Sequence, residues 1–112
     1  MIGRPKSRIQ RARSAEEYVD WVRQAIFEVE ELRLSMEYDM DSMGGAAGFV
    51  DRLESDLRAL LGQMEAGSYA FANEDLPFME IVERVDERLL PFGYLLSQIN
   101  ATHREGLDTG EG

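Results

Sequence analysis

Cysteine is absent from the 112-residue chain. That excludes a disulfide framework, a thiolate zinc site and a cysteine nucleophile at once. Histidine occurs once, at His103, so the paired Glu-x-x-His ligands of a four-helix di-iron site cannot be assembled. No apolar run approaches the roughly 18 residues of a membrane-spanning helix, and the first residues lack the apolar stretch of a secretory signal. No membrane insertion is expected, and a cysteine-free soluble chain fits the reducing cytoplasm. With three prolines and no run of alternating β-branched residues, nothing competes with helix along most of the sequence.

What remains is a charged, moderately apolar chain, 44% hydrophobic and 30% charged, of a size that suits one domain. Its charge is unevenly spread. The five bases Arg4, Lys6, Arg8, Arg11 and Arg13 precede the first acid, whereas residues 14–112 hold only 7 bases against 22 acids. Such a body repels phosphate backbones and anionic membranes and attracts basic proteins. The sequence therefore divides into a basic, flexible arm over 1–13, a helical domain over 14–106 and a disordered tail over 107–112. The arm alone could contact nucleic acid, with its five bases neutralising about five phosphates. It could equally lie on the acidic body, and its acid-free arginine content also suits an organellar presequence.

Three segments carry a helical period, and the expected fold is an all-α antiparallel three-helix bundle. The first spans about 14–41. Ser14 followed by Glu17 forms a capping box at its start, Gly44 and Gly45 suit its end, and Ala15, Tyr18, Val19, Val22, Ala25, Ile26, Val29, Leu32, Met36, Met40 and Met43 lie on one broad stripe. The second spans about 46–66, with Phe49, Val50, Leu53, Leu57, Leu60, Leu61 and Met64 on one face and Gly67 as its terminal cap. The third is expected over about 77–104, carrying Phe78, Ile81, Val82, Val85, Leu89, Phe92, Leu95, Leu96 and Ile99, with Pro91 kinking it or dividing it into two shorter helices.

The chemistry-bearing patterns are weak. The acids Glu37, Asp39 and Asp41 before Gly44 fall short of a calcium loop, because Met43 and Val50 occupy positions that need oxygen ligands. Gly44, Gly45 and Gly48 follow no strand and precede no lysine, so no phosphate loop is present. His103 falls at the end of the third stripe, where a side chain that bonds terminal carbonyls or stacks at the bundle end is the simplest assignment. No enzyme, metal or cofactor is expected.

One feature of the first helix points to binding. Phe27, Leu34 and Tyr38 project within about 40° of one another on the side opposite the core stripe. Leu90 and Tyr94 stand apart from the third stripe in the same way. Aromatic side chains on a second face suit a protein interface, most simply a two-fold one. The expected function is thus an acidic intracellular interaction module of adaptor, regulator or chaperone-like type. It would pair as a homodimer through Phe27, Leu34, Tyr38, Leu90 and Tyr94, with a basic protein as its partner. The alternative is a nucleic-acid-associated regulator that uses the basic arm. The Ser68 to Leu76 loop, with Tyr69 and Phe71, is expected to fold back over the bundle end.

Overall fold

A computed structural model of the chain describes residues 9–38 and 47–109. Among these the structure is all helical: α1 (Ala15–Tyr38), α2 (Ala47–Ala66), α3 (Met79–Arg84) and α4 (Gly93–Glu105). The start of α1 follows from its sequence. Ser14 Oγ accepts the Glu17 N–H at 3.0 Å, and the Glu17 carboxylate reaches back one residue beyond the cap to accept the Arg13 N–H at 2.7 Å. Gly67 closes α2 at φ 77°, a conformation open to glycine, and the following Ser68 N–H reaches back to the Gln63 carbonyl.

Helices α1 and α2 form an antiparallel hairpin. Ion pairs fix its register: Arg23 meets Glu65, Glu30 meets Arg58, and Arg33 meets both Asp51 and Glu54. A heptad forward on α1, from 23 to 30, is matched by a heptad backward on α2, from 65 to 58. These pairs are largely exposed, so each contributes little stability, and their value lies in alignment. Arg58 and Arg33 together hold the Glu54 carboxyl below its usual range. The energy comes from the seam between the helices, where Val22, Ala25, Val29, Leu53 and Leu57 are fully enclosed.

The third expected helix is two helices. Residues 85–92 leave the helical path, so α3 has six residues and α4 begins at Gly93. Pro91 lacks an N–H and disfavours helix at Leu90, and the Asp86 carboxylate accepts the Arg88 N–H at 2.9 Å, giving the backbone an alternative to the helical ladder. Successive short turns, Leu89 N–H to the Asp86 carbonyl and Leu90 N–H to the Glu87 carbonyl, carry the chain across the gap. Of the kink or division expected at Pro91 the division is seen, so the expected three-helix bundle is a four-helix arrangement, in which α4 packs against both α1 and α3.

Both ends of the domain are tied to α4. The buried Ala12 donates its N–H to Thr102 Oγ1 at 3.0 Å, and its carbonyl accepts the Asp108 N–H at 2.8 Å. The Arg11 guanidinium donates to the Glu105 and Gly106 carbonyls, which suits the negative end of the α4 dipole. The arm expected to be flexible through Arg13 is thus anchored at Arg11 and Ala12, and Leu107, expected to begin a disordered tail, packs against the core. Arg4, Lys6 and Arg8 lie outside the described residues.

Candidate functional site

On α1 two of the three residues expected on a second face, Phe27 and Leu34, are exposed. Phe27 is 53% exposed and Leu34 52% exposed, although α1 is flanked by both α2 and α4. They flank Glu31 on a stripe that begins at Gln24 and ends at Tyr38, whose side chain is outside the described set. This spacing of three and four residues is that of a helix–helix seam. Neither Glu28 nor Glu31 makes an ion pair among the described residues; Glu28 instead accepts a hydrogen bond from Gln24.

On the opposite side, Tyr94 is 60% exposed, but Leu90 is only 2% exposed and belongs to the core. Its assignment to the outer surface rested on a continuous helix. Once residues 85–92 unwind, Leu90 turns inward as the floor of a groove of about 440 Å³ that Val82, Val85, Pro91 and Tyr94 also line.

Among the candidate nucleic-acid contacts, Arg11 already serves as the cap of α4, with Glu105 also 3.7 Å from its guanidinium. Arg13 is exposed. The acidic stretch before Gly44 lies largely outside the described residues, and no cluster of three or more metal-ligating side chains occurs among those described. No described helix is long and apolar enough to cross a membrane.

At the far end of the bundle, the loop after α2 folds back and builds a polar and aromatic cluster that the sequence only hinted at. Tyr18 is buried, and its hydroxyl lies 3.0 Å from the Ile99 carbonyl and 3.0 Å from the Tyr69 hydroxyl. The Tyr69 hydroxyl in turn lies 2.7 Å from His103 Nδ1. Three contacts share these groups, and all can be hydrogen bonds at once in one arrangement only: Tyr18 donates to Ile99, Tyr69 donates to Tyr18, and His103 Nδ1–H donates to Tyr69. The assignment fixes the histidine tautomer. Burial raises the affinity of both tyrosine hydroxyls for their protons. Phe71 completes the cluster, stacked on Tyr18 at 6.0 Å and edge-on to Tyr69 at 5.3 Å.

Beside these rings lies a cleft of about 200 Å³ with walls from Ala15, Val19, Met64 and Leu107. The residues that make it, Tyr69, Phe71 and Leu107, come from a loop and a terminal segment. Only the aromatic content of an otherwise patternless stretch could have drawn attention to them.

Burial lowers the His103 pKa, and Glu74 opposes the shift only in part. The unfolded chain binds a proton near pH 6.5, whereas the native ring resists it, so protonation favours unfolding just below that pH. The melting temperature should fall as pH drops from about 6.5 towards 5, and His103→Asn should remove that slope. Partial burial raises the pKa of the half-buried Asp56 carboxyl, which acts in the opposite sense, since its protonation favours the native state. The variant should therefore hold or gain stability over the same range; an unchanged acid slope would assign the effect to other groups.

Comparison with family models, curated proteins and solved structures finds no match for this chain.

Proposed function

We propose that the chain is a small acidic protein-interaction module of the cytoplasm, without catalysis or a cofactor, that pairs with a second copy through the outer face of α1. The observation that supports this most is the placement of Phe27 and Leu34 one heptad apart, each more than half exposed, on a helix whose other face is entirely core. In an antiparallel pair Phe27 of one copy meets Leu34 of the other, and the two-fold axis passes near Glu31. Glu31 then faces its own counterpart, and this like-charge contact opposes pairing.

Two consequences separate self-pairing from simple stickiness. Added salt should strengthen the dimer by screening Glu31, and Glu31→Gln should tighten it. Sedimentation equilibrium at micromolar concentration should show the dimer. The joint change of Phe27→Glu and Leu34→Glu should weaken it by roughly a hundredfold or more, because two anchors of about 2 kcal/mol each are lost. Helical circular dichroism should be unchanged, since neither side chain is in the core. A chain that stays monomeric at every salt concentration refutes the pairing.

Charge accounting favours basic partners beyond the dimer. Six of the seven arginines after Arg13 are consumed in internal ion pairs: Arg23, Arg33, Arg52, Arg58, Arg88 and Arg104. Glu16, Glu28, Glu31, Glu83 and Glu87 form none among the described residues, so an unneutralised negative surface remains for another molecule.

A further inference from the structure

We propose that the cleft at the loop end of the bundle is a docking site for one apolar side chain carried on a basic segment of a partner protein. The proposal rests on the reading of the chain as an interaction module, but it uses a surface other than the outer face of α1. At about 200 Å³ the cleft is smaller than the roughly 300 to 1,000 Å³ of small-molecule sites and suits a single aliphatic or aromatic side chain.

Its walls offer no free side-chain donor. The hydroxyls of Tyr18 and Tyr69, the only side-chain donors in the lining, are committed to the Ile99 carbonyl and to each other. A ligand acceptor would find no free side-chain donor, whereas an apolar group meets Val19, Leu107 and the adaptable thioether of Met64. Phe71, 46% exposed, is held by Tyr18 on one side and Tyr69 on the other, so its face is ordered before anything binds. Little conformational entropy is lost on docking against it.

The rim supplies the charge preference. The wall residues Ala15, Val19 and Met64 are followed in the chain by Glu16, Asp20 and Glu65. Asp20 and Glu65 share Arg23, at 3.9 and 3.2 Å, and Glu16 forms no ion pair among the described residues, so these three acids outweigh the one arginine. An apolar cleft within an acidic rim fits a hydrophobic anchor flanked by lysine or arginine, with the flanking charges speeding encounter and the anchor slowing release.

The test is fluorescence anisotropy with a labelled peptide of one phenylalanine between two runs of three lysines, alongside a peptide with alanine at the centre and another with glutamates in the flanks. The phenylalanine peptide should bind at least tenfold tighter than the alanine peptide, and the glutamate peptide should not bind. Phe71→Ala should weaken the first peptide about tenfold. Leu107→Lys, which sets a cation in the wall without touching the tyrosine cluster, should do the same, with folding of both checked by circular dichroism. The double variant of Phe27 and Leu34 should bind as the unaltered chain does, so failure of self-pairing is read separately. Equal affinity for the phenylalanine and alanine peptides, or unchanged binding by both cleft variants, would overturn the proposal. So would a tenfold gain on deletion of residues 1–8, which would make the chain's own basic arm the occupant.

Discussion

Asn100→Leu should cost about 2–3 kcal/mol and lower the melting temperature by roughly 10 °C or more, although the replacement is close in size and more apolar. Asn100 is buried on α4 and serves two partners: its Oδ1 accepts the buried Leu76 N–H at 2.7 Å, and its Nδ2 donates to Asp75 at 3.0 Å. Leucine leaves the amide of Leu76 without an acceptor in a place water does not reach, and that orphaned donor accounts for most of the loss. Neighbouring residues of α4 hold the same loop. The His103 carbonyl accepts the Ala72 N–H, and Arg104 donates to Asn73 and Asp75. Loosening at Asn100 should therefore spread to Tyr69 and Phe71 and open the cleft.

A second substitution isolates the cause. Asn100→Asp keeps an acceptor for the Leu76 N–H but sets a carboxylate against Asp75. It should be strongly destabilised at neutral pH and recover towards the unaltered protein as acid protonates one member of the pair. If both variants lose the same stability at every pH, packing rather than hydrogen bonding holds the loop.

The long helices were legible because their determinants are local. The Ser14 and Glu17 cap, the repeat of Tyr18, Val22, Ala25 and Val29, and Gly67 all act within a turn or two of the chain, and the structure places them as the spacing predicts. The segment 85–92 has a valid helical period in Val85, Leu89 and Phe92, and division at Pro91 is one of the two outcomes expected there. Pro91 and the Asp86 turn override that period, which turns Leu90 from an outer residue into a core one. Least visible were the bonds that hold the ends and the loop: Ala12 to Thr102, Leu76 to Asn100, and Tyr18 through Tyr69 to His103. Each joins residues dozens of positions apart through a single polar atom, and no periodicity records such a pairing. The outer face of α1 was legible because it is a property of one helix, whereas the cleft was not, because three separate segments make it.

Phe78→Ala should be the most damaging single truncation of the short elements, at about 3–5 kcal/mol. Phe78 is 1% exposed and stands at the N-terminal boundary of α3, where its carbonyl accepts the N–H groups of Ile81 and Val82. A helix of six residues is well below the roughly 12 to 15 needed for even marginal stability in water, so α3 exists because Phe78 and Ile81 are buried. Removing the ring takes away the burial and leaves a void that the fixed α4 cannot collapse to fill. The loss should appear at two levels. Global stability falls, and hydrogen exchange at Ile81, Val82 and Val85, whose amides bond within α3, should accelerate beyond what the global change requires. Tyr94→Ala, at a position 60% exposed on α4, is the control and should stay within about 0.5 kcal/mol. Uniform acceleration of exchange across α1, α2 and α3 would instead make α3 part of the same cooperative unit as the hairpin, held by more than its two buried side chains.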